Sequence, residues 1–317
     1  MVKLERQGKV LEPKLEVGAI FNCGAAEYKG DIYLLPRVVK KGYTKKTQGY
    51  GYDNYVSEIR LAKSKDGKNF TLSNEPIIKS DNSYDLYGCE DARVTKLEGE
   101  YFITYTAKIG PAFSGGDRIG LASTKDFSEF EKHGVIGPDE NDKDVAIFPD
   151  KINGKIAILH RIYPNIQIAY FDNIKQLKEN HSKEYWKDYL KSLDEHIVLR
   201  KKHKWESKKI GVGPPPIKTE KGWLLIYHGT DDNHVYRAGA ALLDLNNPQK
   251  IIGRTYEPIL EPIMEYEKIG DVPNVTFPEG AVVRGDELFV YYGAADKICC
   301  LATCNLNELI NSLLKEK

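Results

Sequence analysis

The stretch Gly99-Glu100-Tyr101-Phe102-Ile103-Thr104-Tyr105 decides the fold. A glycine at a turn is followed by aromatic and β-branched residues, which favour a strand. The same pattern recurs at Gly30–Leu35, Gly154–Leu159, Gly222–Tyr227 and Gly285–Tyr292. Each copy is preceded by a short apolar strand, and it is followed by another strand that ends near an alanine and an acidic or amide residue. Five such units predict an all-β fold, a five-bladed β-propeller with at least three antiparallel strands in each blade.

Three segments depart from this pattern. Asn173–Glu195 carries apolar residues at helical spacing among charges, and it predicts a short helical insert. Leu306–Lys317 predicts a C-terminal helix. Tyr43–Tyr55, rich in Gly, Lys and Tyr, predicts a long exposed loop. We therefore expect one propeller domain over residues 1–317, with the helical insert as the contact if the protein forms a homo-oligomer.

The bulk composition excludes several classes of protein. The chain has 317 residues, of which 41% are hydrophobic and 29% charged, as in ordinary globular proteins. Lys and Arg number 46, as do Asp and Glu, so the charge gives no reason to expect a nucleic acid or a membrane as partner. The N-terminal residues do not resemble a signal peptide, and no window approaches a membrane span. The five cysteines fit neither a zinc site nor a disulfide framework, so we expect a cytoplasmic protein without a metal.

The candidate functional residues occupy equivalent positions in the repeat. The innermost strand of a propeller blade lines the central channel, so polar residues at its entry, or after the second strand, converge on one axis. Such a set fits a small ligand that carries hydroxyl groups and an anion. Each residue alone also has a structural explanation, as an ion pair, a core side chain or a solvated charge. The set consists of Asn22, Glu90, Asp91, Lys143, Asp144, Lys209 and Glu279 at the entries, and of Arg37, Arg161, His228 and Asp296 after the second strands.

The segment Glu90-Asp91-Ala92-Arg93 is the candidate catalytic centre. Neighbouring residues of a strand point to opposite faces, so we expect one of the two adjacent carboxylates to point inward. A charge there is costly unless it is paired or used. Asp91 is therefore the candidate catalytic acid, and the alternative is a structural carboxylate paired with Arg93.

Several motifs together carry a resemblance to a known family. The sequence resembles glycoside hydrolase family 130, which contains β-mannoside phosphorylases and some β-1,2-mannosidases. The resemblance runs from about residue 20 to 305 and implies a five-bladed β-propeller, in agreement with the repeats. The motifs are Phe21-Asn22, Glu90-Asp91-Ala92-Arg93, Phe148-Pro149-Asp150-Lys151, Lys209-Ile210-Gly211-Val212-Gly213-Pro214-Pro215, Gly222-Trp223-Leu224-Leu225-Ile226-Tyr227-His228-Gly229 and Val272-Pro273-Asn274-Val275.

The resemblance implies a role for each candidate. The general acid of the family falls on Asp91, which must be protonated at neutral pH, so we expect desolvation to raise its pKa. Substrate binding falls on one set and phosphate binding on a second. The resemblance places the first on Asn22, His228 and Asp296, to which position in the repeat adds Arg37, Glu90 and Arg93, and it places the second on Lys143, Arg161, Lys209 and Tyr236.

The activity implied is inverting phosphorolysis of β-1,2- or β-1,4-linked mannooligosaccharides to α-mannose 1-phosphate and a shortened acceptor. Inorganic phosphate is then the co-substrate, and no other cofactor is expected. General likeness to the β-1,2 branch of the family favours that linkage. The loops expected to set linkage and acceptor are Lys40–Tyr55, Gly110–Gly116 and Asp231–His234.

Two departures from the family pattern keep alternatives open. Lys143-Asp144 stands where an Arg-Asn pair is usual, and a lysine lacks the bidentate fork of an arginine. Glu279 follows Phe277-Pro278 where cysteine is frequent, and a carboxylate across the site could activate water. The alternatives are therefore an inverting β-1,2-mannosidase and a non-catalytic mannoside-binding propeller.

Overall fold

Five antiparallel sheets form the blades of a β-propeller, as the repeats predict. The computed structural model describes residues 2–48, 51–111, 115–179 and 183–315. The first blade consists of β2 (Val17–Tyr28), β3 (Asp31–Lys40), β6 (Ser57–Ser64) and β7 (Thr71–Ile78), and a small hairpin, β4 (Thr44–Lys45) with β5 (Tyr52–Asp53), is inserted in it. The second blade consists of β8 (Cys89–Leu97), β9 (Glu100–Lys108), β10 (Asp117–Thr124) and β11 (Glu131–Val135).

The remaining three blades are also antiparallel sheets, of four or five strands each. The third consists of β12 (Asp142–Ile147), β13 (Ile156–Ile162), β14 (Ile166–Phe171) and β15 (Ile197–Leu199). The fourth consists of β16 (Lys209–Val212), β17 (Ile217–Thr219), β18 (Gly222–Thr230), β19 (Tyr236–Leu243) and β20 (Ile251–Arg254). The fifth consists of β21 (Thr276–Arg284), β22 (Glu287–Ala294) and β23 (Ile298–Asn305), and its outer strand is β1 (Glu5–Leu11) from the other end of the sequence.

The inner strand of the fourth blade differs from its prediction. The sequence predicts it at Pro215–Ile217, but two short strands, β16 and β17, both pair with β18 there. Prolines have no N–H to donate, so the run Pro214–Pro216 interrupts the pairing between them. Of the two strands, β16 begins with Lys209, which lines a central cavity.

The hydrophobic core is divided among the interfaces between neighbouring blades. Each main cluster of buried apolar side chains joins two consecutive blades, because each sheet has two faces to cover. For example, Ile103 of the second blade packs in one cluster with Leu35 of the first. Leu301 of the fifth blade packs with Leu34 of the first and so closes the ring. This arrangement holds the inner strands around a common axis.

The helical segments lie on the outside of the blades. The insert contains α1 (Ile174–Lys178) and α2 (Lys183–Lys191), and residues 180–182 lie outside the described part. Trp186 and Tyr189 of α2 are buried between the second and third blades, so that face is not free to form the homo-oligomer contact expected of the insert. A one-turn helix, α3 (Glu265–Lys268), precedes β21, and α4 (Leu306–Lys315) packs on the fourth and fifth blades. Among the described residues, no helix combines the length and apolar character needed to cross a membrane.

The segment Tyr43–Tyr55 is exposed over much of its length, as its composition predicts, but parts of it are fastened to the rest of the protein. Apart from residues 49 and 50, which lie outside the described part, it contains the hairpin β4–β5, and Tyr55 is buried. The Tyr52 hydroxyl donates to the Asp271 carbonyl at 2.7 Å, and the Tyr43 hydroxyl donates to the Asp271 carboxylate. These bonds fasten the hairpin to the segment before the fifth blade. The rings of Tyr43, Tyr52 and Tyr55 pack on one another, and Tyr43 and Tyr52 stay half-buried.

Candidate active site

A cavity of about 350 Å³ opens where the inner strands of all five blades converge. It is lined by all the candidate residues from the sequence except Arg93 and Glu279. Their convergence from separate blades agrees with the prediction made from their positions in the repeat. The predicted residues that line it are Asn22, Arg37, Glu90, Asp91, Lys143, Arg161, Lys209, His228, Tyr236 and Asp296.

Several lining residues were not assigned a role from the sequence. Asp144 was noted only as part of the Lys143-Asp144 pair, although its position in the repeat matches that of Asp91. Lys108 and Asp117 form an ion pair at the wall, and the Asn141 side chain accepts a hydrogen bond from the Asp117 N–H at 3.0 Å. No pattern in the sequence marks these, because Asp117 begins β10 after a loop. Residues 112–114 of the predicted Gly110–Gly116 loop lie outside the described part.

A break in the inner strand aims Asp91 into the cavity. The pairing between β8 and β9 shifts register between Glu90 and Arg93, and Asp91 has a positive φ of 56°. A bulge of this kind redirects a side chain, and Asp and Asn tolerate the left-handed conformation better than most residues. Asn22 in β2 and Asp144 in β12 lie at equivalent breaks, with φ of 46° and 57°. The same local device therefore delivers three polar side chains to the cavity.

Asp91 is surrounded by donors and cations. The Asn22 amide donates to its Oδ1 at 3.0 Å, and Arg37 Nη1 lies 3.3 Å from the same oxygen. Lys143 Nζ lies 3.6 Å from Oδ2. Burial alone would raise the pKa of Asp91. The charges of Arg37, Lys143 and Arg93 outweigh burial and lower the pKa to about 2. The expectation of a raised pKa is therefore wrong, and Asp91 can hold a proton at neutral pH only if the positive charge around it is reduced.

Arg37 and Asp296 form the side of the cavity next to the hairpin β4–β5. Arg37 Nη2 lies 2.6 Å from Glu90 Oε1, so one guanidinium spans both carboxylates of the Glu90-Asp91 pair. It also lies over the rings of Phe21 and Tyr55. Burial raises the pKa of Asp296 to about 7, although Arg37 opposes the shift. Near neutral pH, Asp296 can therefore donate or accept a hydrogen bond, as a ligand with several hydroxyl groups requires.

Three cations form the opposite side of the cavity. Lys143 and Arg161 are directly paired across β12 and β13, and Lys209 lies over the Tyr236 ring at 5.3 Å from its centroid. Burial lowers the pKa of Lys209 to about 7, and the charges of Arg161 and Lys143 add to the shift. Arg161 and Lys143 each have a carboxylate neighbour, but among the described residues Lys209 has none within ion-pair distance, and a bound anion would favour its charged form. The cluster is therefore a candidate site for an oxyanion, and a solvated loop position for Lys209 is excluded.

Asp144 and His228 lie beneath these cations. Asp144 Oδ2 is 3.0 Å from Arg161 Nε and 3.5 Å from His228 Nε2. Burial raises the pKa of Asp144, but Arg161 and its other cationic neighbours reverse the shift and hold it well below its usual range. Burial lowers the pKa of His228 far enough to keep the imidazole neutral, and its ring packs on Phe277. The structure therefore places His228 in the same cavity as Asp91, beside Asp144 and the cation cluster.

Arg93 and Glu279 lie behind the cavity wall. The exposed fraction of the Arg93 side chain is 1%, and Glu279 Oε1 lies 2.8 Å from its Nη1. Glu279 is completely buried and does not line the cavity. Direct binding of substrate by Arg93 is therefore not supported. The hypothesis that Glu279 activates water is wrong, because a base must reach the water that it deprotonates.

A five-bladed propeller whose central cavity contains buried carboxylates beside a cation cluster offers partners for both hydroxyl groups and an oxyanion. Comparison with known proteins gives the family. Residues 5–316 match the family model described as beta-1,4-mannooligosaccharide phosphorylase, and the chain belongs to this family, glycoside hydrolase family 130.

Relatives of this chain with assigned activities cover nearly all of it. A 1,2-beta-oligomannan phosphorylase of Thermoanaerobacter sp. (strain X514) is 41% identical over 98% of this chain and 99% of its own. A beta-1,2-mannobiose phosphorylase of the same strain is 40% identical over 90% of each. Among solved structures, the beta-1,2-mannobiose phosphorylase of Listeria innocua in complex with beta-1,2-mannobiose is similar, with a TM-score of 0.82, 33% identity and 97% coverage of both chains. The resemblance stated from the motifs and the predicted fold are both confirmed.

Proposed function

We propose that this chain catalyses the inverting phosphorolysis of β-1,2-linked mannooligosaccharides, which yields α-mannose 1-phosphate and a shortened acceptor. The observation that carries the proposal is the placement of Lys143, Arg161 and Lys209 in the same cavity as Asp91. The named relatives support both the class of reaction and, at the higher identities, the β-1,2 linkage.

The two sides of the cavity bind different substrates. Asn22, Arg37 and Asp296 bind the hydroxyl groups of the mannosyl unit, and the cation cluster binds phosphate. Arg161 offers the planar fork that suits two phosphate oxygens, while Lys143 and Lys209 act as point charges. A phosphate oxygen attacks C1 from the face opposite the glycosidic oxygen, so the bond to the acceptor breaks as the bond to phosphate forms and the configuration inverts.

The proton for the departing acceptor comes from Asp91. The family resemblance implies that it passes through a hydroxyl group of the mannose, which leaves the carboxyl distant from the glycosidic oxygen. Lys143 lies within 3.6 Å of Asp91 and belongs to the cation cluster. A bound phosphate dianion would offset that charge, and the pKa of Asp91 would rise. Phosphate thus acts as the nucleophile and also favours protonation of the acid.

The structure argues against the alternative activity, hydrolysis of a β-mannoside by water. Its candidate base, Glu279, is buried against Arg93 and out of reach of the cavity. A phosphorylase needs no second catalytic carboxylate, because phosphate is itself the nucleophile. The cation cluster would have no evident use in an enzyme whose nucleophile is water.

The test is product analysis with and without phosphate. Purified protein is incubated with β-1,2-mannobiose and, separately, β-1,4-mannobiose, and sugar phosphates and free mannose are both measured. We expect mannose 1-phosphate only when phosphate is present, and a higher rate with the β-1,2 linkage. Free mannose released at the same rate without phosphate would refute phosphorolysis, and no product under any condition would favour a binding protein.

We also propose that the enzyme works in the cytoplasm without a metal or an organic cofactor. All five cysteines are unpaired, and four of them are buried, as expected of a protein in a reducing compartment. Fractionation of the producing cells, followed by the phosphorolysis assay, would place the activity, and recovery of the activity outside the cytoplasm would contradict the location.

A further inference from the structure

The inner strands bring several carboxylates close to the axis. Register breaks occur at Asn22 in β2, at Asp91 in β8, at Asp144 in β12 and at Glu279 in β21. Asp91, Asp144 and Glu279 are all at most 2% exposed. Buried carboxylates this close to one another are unfavourable unless a cation lies between them. In the fourth blade β16 pairs without a register break, and a Cβ on its Gly211 would collide with Asp144 and His228.

Arg93 is the cation at the centre of this group. Its Nη1 donates to the Asp91 carbonyl at 2.9 Å and lies 2.8 Å from Glu279 Oε1. Its Nη2 donates to the Val212 carbonyl at 2.8 Å and lies 3.5 Å from Asp144 Oδ1. One side chain of the second blade therefore holds groups from the third, fourth and fifth.

The shape of the guanidinium suits this position. Its Nε donates to the Gly213 carbonyl at 3.1 Å, so all three nitrogens have partners in the protein. A lysine carries the same charge at a single point, and it cannot direct donors to several blades at once. The position therefore requires the planar arrangement of donors and not only a positive charge.

The contacts of Arg93 join the two halves of the cavity. It bonds to the main chain of Asp91, whose left-handed conformation turns the acid inward. It also lies beside Asp144, which is the ion-pair partner of Arg161 in the cation cluster. The distance between acid and phosphate site thus depends on a residue that touches neither substrate.

We propose that Arg93 is a positioning residue for the reaction, which fixes Asp91 relative to the Asp144–Arg161 pair and has Glu279 as its buried partner. This inference rests on the proposed function, and it replaces the substrate contact expected of Arg93. Loss of the guanidinium changes the geometry of the acid and leaves the mannose-binding side chains in place. Its effect is therefore on kcat and not on the KM for the mannoside.

The test compares Arg93→Lys with Arg60→Lys. Arg60 is a matched control, because it is equally buried and is ion-paired to Glu58 and Glu16, but it does not line the cavity. We expect Arg93→Lys to lower kcat by about 100-fold, the loss typical of a displacement of about 1 Å. The KM for β-1,2-mannobiose should stay within about threefold, and Arg60→Lys should keep kcat within about twofold while lowering Tm.

Circular dichroism and Tm establish that each variant is folded. Folded Arg93→Lys with kcat within about twofold of the parent would overturn the proposal, as would equal losses of kcat in both variants. If Arg93→Lys does not fold, Gly213→Ala decides. A Cβ there would lie 2.7 Å from the Ile226 carbonyl and 3.0 Å from that of Pro278, so the carbonyl that Arg93 bonds must shift. A fall in kcat at constant KM supports positioning, and an unchanged kcat overturns it.

The parent protein keeps the two proposals separate. If it releases free mannose without phosphate, phosphorolysis has failed, but the comparison of Arg93→Lys with Arg60→Lys can still be made on mannose release. If it releases mannose 1-phosphate and both variants do so at the parent rate, only the positioning role has failed.

Discussion

Lys209 makes phosphate binding dependent on pH in a range that is easy to measure. Its pKa is lowered to about 7 by burial and then by Arg161 and Lys143, with Asp144 opposing and Lys208 adding a little. The lysine is therefore about 90% charged at pH 6 and about 10% charged at pH 8. Only the charged form attracts phosphate, and bound phosphate in turn favours that form. Affinity for phosphate must fall as the pH rises through 7.

The size of the effect follows from these fractions. If the charged form alone binds phosphate, the phosphate KM rises about tenfold between pH 6 and pH 8. The assay is the initial rate of mannose 1-phosphate formation at saturating β-1,2-mannobiose with varied phosphate, corrected for the second ionisation of phosphate. Asp296 also has a pKa of about 7, but it lies beside Arg37 and is expected to affect the KM for the mannoside.

Lys209→Arg is the matched control, because an arginine stays charged throughout this range. The corrected phosphate KM of this variant should be nearly constant from pH 6 to pH 8, whatever its absolute value. A parent enzyme with a constant corrected KM would refute the reasoning. A variant as dependent on pH as the parent would assign the titration to another group.

Three further predictions concern the site. Asp91→Asn should lower kcat by about 1,000-fold, because a general acid contributes about 10²–10⁴ to the rate. Calorimetry should show that the variant still binds β-1,2-mannobiose. A near-normal kcat would exclude Asp91 as the general acid. Arg161→Ala should raise the phosphate KM by at least about 30-fold, since about 2 kcal/mol is expected from a lost bidentate contact, and an unchanged KM would remove Arg161 from the phosphate site. Dialysis against a chelator should leave kcat unchanged, and a loss restored by a divalent metal would contradict metal-independent catalysis.

The fold could be predicted because its signal is local. A glycine turn followed by an aromatic and β-branched strand is visible in each repeat, and Gly99–Tyr105 is the start of β9 with its turn. The interruption between β16 and β17 could be predicted only in part. The prolines indicated that a regular strand was excluded, but they did not show that pairing resumes on both sides of them.

The candidate site could be predicted in position but not in electrostatics. Positions in the repeat brought Asp91, Arg161 and Lys209 together correctly, because equivalent residues of each blade face one axis. The pKa of Asp91 was wrong in direction because it depends on side chains from the first and third blades. The burial of Glu279 behind Arg93 likewise results from the closure of the ring. Such effects depend on which blades become neighbours, and a sequence read segment by segment does not contain them.

The pairing of β1 with β23 has a consequence for how the protein is made. Glu5 is paired with Thr303, so β1 must remain without its partner until β23, at the far end of the propeller sequence, has been synthesised. Contacts so distant in sequence form late and slowly, and unpaired edges are prone to aggregation while they wait. Phe277 and Asp296 of the cavity belong to the blade that this pairing completes. A nascent chain that has completed only four blades therefore lacks part of the cavity, and its β1 is still unpaired. We expect such a chain to be inactive.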